Sequence, residues 1–272
     1  MKQALIAGAF VALTSVALAA QEGSGGDTPL PDDDICAESR GNWDDRDAYC
    51  EVREATLDTR SVLRVDGRTN GGITVVGWDR DEILVRAKVV GRARDGETAR
   101  ELVEEVEISF SGTIEADGPR TRRRQWWHVS YEIFAPHESN LDLESTNGGI
   151  GIYDITGDVD FDVVNGGAHL YRLAGNVRGE TTNGGLHIVL DGDRWEGDGL
   201  DVRTTNGGVT MWIPEDYNAR LETGAVNGGI SIDFPIIVQG RIGGRRIATE
   251  LGEGGPLVRA VTTNGGVRIR RS

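Results

Sequence analysis

Carboxylates at alternating positions are the first groups in this sequence that could do chemistry. Asp160 and Asp162, with Asp142, Glu144 and Glu180 at matching places in neighbouring repeats, would share one outward face. Such pairs can act as acid and base on a glycosidic or uronate substrate. The same places also carry Arg178, Asp201 and Arg203, so charge pairing between adjacent strands explains the pattern more simply. His169 and His187 share a second column, four residues after an Asn. Two imidazoles could hold a transition metal, but the equivalent places are Gly151 and Thr210 and spacing fixes no third ligand. Neither a metal nor a cofactor is therefore expected. The insertion at 191–198 is acidic enough to suggest calcium. It has Trp195 at its fifth place and no Gly at its sixth, and reads as a solvated loop with Trp195 packed back. Tyr153, Tyr171 and Trp212 lie six residues after an Asn, in an outward column that also holds Val189. Rings one repeat apart could stack on sugars or on a protein surface, and they form the candidate ligand face.

These columns exist only if a repeat positions them. Asn-Gly-Gly begins at Asn70, Asn147, Asn165, Asn183, Asn206, Asn227 and Asn264. Before each later copy the inward places alternate with charge: Leu141, Leu143 and Ser145, then Val159, Phe161 and Val163, then Val177, Gly179 and Thr181, then Leu200, Val202 and Thr204. After the tripeptide the alternation restarts, with Ile150 and Ile152, Ala168 and Leu170, Leu186 and Ile188, Val209 and Met211, Ile230 and Ile232 inward. Each repeat thus reads as a strand, a corner, a second strand and a looser return. Glycine at the corner would permit positive φ, and Asn could bond locally or to the Asn one repeat away. The expected fold is all-β, a β-solenoid of stacked coils with one short helix in its N-terminal part. Asn-Gly between alternating runs is also a hairpin signal, so an antiparallel β meander or prism is the alternative.

Strand alternation begins near Arg60 and is interrupted by one helix, for which Thr98 and Glu101 suggest a capping box and Ala99, Leu102, Val103 and Val106 an apolar face. Arg120 and Arg122 to Arg124 form a basic loop that reads as solvated. Residues 1–20, with Lys2, an apolar run and Ala17-Leu18-Ala19, have the pattern of a signal peptide. Residues 21–58 form an acidic leader with Cys36 and Cys50, the only cysteines, which in an oxidising compartment most simply make one disulfide. Residues 59–272 form the repeat domain, its regular coils starting at 139 and its Arg-rich tail blunting one end.

The chain of 272 residues carries a formal charge of −15, which argues against nucleic acid and anionic membranes as partners. No later apolar run approaches membrane length, so no insertion of the mature chain is expected. Lys2 and Lys88 are the only lysines, which excludes a P-loop, and no nucleophile elbow or zincin helix is present.

The segments TNGGITVVGWDRDEILVRA, STNGGI, VNGGAHL, TTNGGLHI, TTNGGVT and VNGGISIDFP resemble the bacterial putative-adhesin family of exported β-solenoid domains. The resemblance covers about residues 60–272, and the paired cysteines before it are also similar to that group. It implies export to the periplasm, cell surface or medium. It further implies a non-catalytic binding or structural role, with a polysaccharide or an envelope or surface protein as partner. A polysaccharide-acting lyase or hydrolase using Asp160 and Asp162 is the alternative.

Overall fold

The computed structural model describes residues 35–37, 46–68, 70–233, 241–243 and 245–272. The signal peptide and the acidic residues 21–34 read from the sequence lie outside the described residues. The N-terminal strands are β1 (Asp47–Asp58), β2 (Leu63–Asp66), β3 (Ile73–Trp78) and β4 (Glu82–Ala93). Helix α1 (Gly96–Glu104) follows, then β5 (Glu107–Ser109), β6 (Thr113–Asp117) and β7 (Trp126–Pro136). The repeats supply β8 (Leu141–Asn147), β9 (Ile150–Tyr153), β10 (Thr156–Asn165), β11 (Ala168–Tyr171), β12 (Ala174–Asn183) and β13 (Leu186–Val189). They continue as β14 (Gly199–Asn206), β15 (Val209–Ile213), β16 (Ala219–Asn227) and β17 (Ile230–Ile232). The chain ends with β18 (Arg241–Gly243), β19 (Arg246–Leu251), β20 (Leu257–Asn264) and β21 (Val267–Arg271).

These strands form two large sheets. One is ordered β1-β4-β7-β3-β9-β11-β13-β15-β21-β17 and the other β18-β19-β16-β20-β14-β12-β10-β8-β2-β6-β5. Within the repeats every strand pairs in parallel with its counterpart, as in Val159↔Val177 and Leu170↔Ile188. Antiparallel pairs, among the described residues, join β1 to β4, β4 to β7, β5 to β6, β16 to β19 and β18 to β19. The side-chain alternation read from the sequence is the alternation of burial. Leu141, Leu143, Ile150, Ile152, Val159, Val163, Leu186 and Ile188 are all buried, and both sheets contribute to one apolar core. Burial of such side chains contributes on the order of 1.5–3 kcal/mol each.

Hydrogen bonds between amide side chains run along the corners. The Asn165 amide donates to Oδ1 of Asn147, and Asn183 to Asn165, both at 2.8 Å. Asn206 continues the ladder to Asn183, Asn264 to Asn206, and Asn227 to Asn264. Asn70 is offset. Leu63 faces Leu141 while Ile73 faces Ile150, so the N-terminal corner holds one residue more than its neighbour. The left-handed Arg68, at φ 52°, lies in this longer corner.

Three local expectations need correction. First, the corner glycines are selected by close approach rather than by positive φ, since Gly265 alone among them has one. A Cβ on Gly148, Gly166, Gly184 or Gly207 would lie 1.8–2.3 Å from the carbonyl oxygen of the adjacent corner. Second, α1 is capped by Asp95, whose carboxylate accepts from the Thr98 backbone N–H at 2.9 Å; Thr98 is inside the helix. Third, the Arg-rich tail does not blunt an end. Strand β21 lies between β15 and β17, so the last repeat in sequence sits inside the stack and, among the described residues, β17 forms the edge of the first sheet.

The helix has its own place at the other end. Ala99, Leu102 and Val103 are buried, and a Cβ on Gly91 of β4 would meet the Ala99 carbonyl at 2.4 Å. Arg53 of β1 donates to the carbonyls of Val103 and Val106, fixing the C-terminal turn of the helix against β1. Cys36 and Cys50 are joined in a disulfide.

Candidate functional site

The outer face of the first sheet brings the two predicted columns together. Successive side chains along a strand point to opposite faces, so residues four and six after each Asn emerge on the same side. Tyr153 faces Tyr171, and Val189 faces both Tyr171 and Trp212. The Tyr153 and Tyr171 rings stack at 4.9 Å between centroids with planes 12° apart. Tyr171 lies 6.4 Å from His169, His169 5.2 Å from His187, and His187 5.3 Å from Trp212. The Arg270 guanidinium sits 5.7 Å from the Trp212 ring. The result is a continuous band of rings across β9, β11, β13 and β15. At a strand spacing of about 4.8 Å its span is about 14 Å.

The band is only half open to water. Tyr153, Tyr171, His187 and Trp212 are half-buried, His169 is exposed, and Val189 is closed off between its neighbours. Tyr153 folds back over Gly151, where a Cβ would meet its ring at 2.9 Å. Burial, then the charge of His187, lowers the His169 pKa; burial, then Arg270, lowers that of His187. Both shifts favour the uncharged imidazole. Burial, followed by Tyr171, raises the Tyr153 phenol. A neutral, largely aromatic strip of this kind can stack on an apolar ligand face while ring nitrogens and hydroxyls make hydrogen bonds.

Sequence reasoning missed the ends of this column. Val76 continues it beside Tyr153, and Phe134 beside Val76, both buried, with Trp78 5.6 Å from Phe134. Arg270 at the other end was legible only as part of a basic tail, because its neighbour Trp212 lies 58 residues away in sequence.

The other candidates separate. Asp160 faces Arg178, and Asp162 faces Glu180, on the outer side of the second sheet. Burial, then Glu180, raises the Asp162 pKa. Nearby carboxylates mostly bind arginine: Glu180 pairs with Arg203, Asp201 with Arg259 at 2.8 Å, and Asp142 with Arg64 at 3.2 Å. Trp195 is buried and donates to the Gly175 carbonyl at 2.9 Å, so the loop at 191–198 is folded back as expected. Among the described residues no group of three or more His, Cys, Asp or Glu side chains could hold a metal ion. Arg120, Arg122, Arg123 and Arg124 are exposed. No described helix is long and apolar enough to cross a membrane.

A cavity of about 370 Å³ lies beside the Asn70 corner, lined by Arg68, Trp127 and Tyr131 among others. The Tyr131 hydroxyl is buried without a partner among the described residues, and its burial raises its pKa.

No family model and no curated protein matches the chain. Among solved structures, it is similar to a "putative cell adhesion protein" from Clostridium sporogenes, with a TM-score of 0.46 and 12% identity over 82% of this chain and 100% of that one. A "putative adhesin" from Bacteroides fragilis has a TM-score of 0.32 and 11% identity, over 82% and 97% of the two chains. A "putative lipid binding protein" from Parabacteroides distasonis has 0.30 and 8%, over 81% and 96%.

Proposed function

We propose that this chain is an exported, non-catalytic β-solenoid that binds a polysaccharide or an envelope or surface protein through the face carrying Tyr153, Tyr171 and Trp212. Parallel, in-register pairing of successive repeats supports the solenoid reading, and the Cys36–Cys50 disulfide supports export. The observation that carries the binding reading is the unbroken band of rings from Tyr153 to Trp212. A solvated sheet face needs no such band, and an aromatic surface left half open costs solubility unless something covers it. The test is a pull-down on cell-envelope and polysaccharide fractions, with a folded Tyr153→Ala/Tyr171→Ala/Trp212→Ala variant beside the parent. Retention of the parent and loss of the variant is expected. Equal retention of both would move the site elsewhere, and retention of neither would leave a passive envelope scaffold.

A second reading is a polysaccharide-acting enzyme, in which Asp160 and Asp162, side by side on the outer face of the second sheet, would supply acid and base; burial, then Glu180, raises the Asp162 pKa. Turnover of an acidic polysaccharide that disappears in Asp160→Asn and Asp162→Asn would establish it.

A further inference from the structure

An Asn followed by Gly carries its own reaction. The Gly backbone nitrogen attacks the Asn Cγ and loses its proton, a new N–Cγ bond forms, and the Cγ–Nδ2 bond breaks to release ammonia. Water then opens the resulting imide at either carbonyl, leaving aspartyl or isoaspartyl. All seven corners share this dipeptide, so sequence gives each the same reactivity.

The ladder makes them unequal. Asn165, Asn183, Asn206 and Asn264 each donate from Nδ2 to one neighbour and accept at Oδ1 from the next. The N–H groups of Gly166, Gly184, Gly207 and Gly265 donate to the backbone carbonyls of Asn183, Asn206, Asn264 and Asn227 at 3.0–3.1 Å. Nucleophile and electrophile are thus both held, and attack requires local opening of the stack. Asn227 ends the ladder. It donates to Asn264, but among the described residues nothing donates to its Oδ1 and nothing accepts the Gly228 N–H. Gly228 is exposed, whereas Gly166, Gly184, Gly207 and Gly265 are half-buried.

The geometry points to Asn227 as a site of spontaneous deamidation, with the interior corners shielded by the stack. The product carboxylate cannot donate to Asn264, so Asn264 becomes the new end. Modification then proceeds in spatial order, Asn227, Asn264, Asn206, and not in chain order.

The experiment is incubation of the folded protein at mildly alkaline pH, with mass-spectrometric peptide mapping over time. A parallel sample is kept unfolded in urea. In the folded protein Asn227 is expected to convert at least tenfold faster than Asn165, Asn183 or Asn206, with Asn264 ahead of those three. In urea these corners should convert at similar rates. Equal rates in the folded protein, or an interior Asn leading, would overturn the assignment. So would an Asn227 lead that persists in urea, because neighbouring sequence would then explain it.

Discussion

Replacing Gly184 and Gly229 by Ala tests what the corner glycines are for. A Cβ on Gly184 would sit 1.8 Å from the Gly166 carbonyl oxygen and 2.3 Å from its carbon, whereas one on Gly229 meets nothing within 4 Å. Ordinary C···O contacts are about 3.3–3.6 Å, so the Gly184 corner would have to open by more than about 1 Å. Backbone bonds at 3.0 Å hold it shut, from Gly184 to Asn206 and from Gly166 to Asn183. The Thr181 and Thr204 hydroxyls also donate to the Gly184 carbonyl, at 2.9 and 2.7 Å. At a net value of about 1 kcal/mol per bond, loss of most of these four costs about 3–4 kcal/mol. Gly229→Ala should stay within about 0.5 kcal/mol of the parent. Thermal unfolding followed by circular dichroism would show a large fall in midpoint for the first variant and almost none for the second. Similar losses in both would refute the close-approach argument and return the explanation to backbone conformation.

Other consequences follow from side chains and cross-links. Burial, then Lys88 and Arg92, lowers the His128 pKa from 6.5 to about 4. The unfolded chain therefore binds the extra proton first, and stability falls as pH drops from about 6.5 towards 4, by up to about 3 kcal/mol from this group. His128→Leu should flatten that part of the profile in urea titrations at stepped pH; an unchanged slope would assign the acid sensitivity to other groups. Opening the Cys36–Cys50 disulfide, whose separation is 14 residues, should cost about 3 kcal/mol. Melting with and without reductant measures this, and a midpoint indifferent to reductant would contradict it. Asp154 and Arg172 are both left-handed, at φ 58° and 51°, and are joined by two hydrogen bonds at 2.6 and 2.9 Å. Asp154→Gly loses the pair but relieves a backbone cost of about 1 kcal/mol, so it should be more stable than Asp154→Ala. The reverse order of melting midpoints would show that the backbone there is not strained.

Much of this architecture was legible because strand side chains alternate with a period of two. That period alone assigned Leu141, Val159, Leu186 and Ile188 to the core and put Tyr153, Tyr171 and Trp212 on one outer column. The matched spacing of the repeats likewise predicted that His169 would meet His187; for the Asn side chains it left local and inter-repeat bonds open, and the structure has the inter-repeat ones. The helix cap was misplaced by three residues because Asp95 and Thr98 are both competent cap residues. Only the Asp95 side chain reaches the helix N–H group.

Sequence by itself determined which face each residue takes and where each corner falls, since both depend on local period and local composition. Tertiary structure alone decided which repeat lies against which. Asn264 stands between Asn206 and Asn227, so β20 fills the gap between β14 and β16 in one sheet and β21 the gap between β15 and β17 in the other. Nothing in the spacing of 37 residues between Asn227 and Asn264 announces this, because strand order is a choice among distant pairings of nearly equal local patterns. That choice brings Arg270 to Trp212 and leaves Asn227 at the end of the ladder. It also sets the close approach that requires glycine at each corner, a distance between repeats that no single repeat contains.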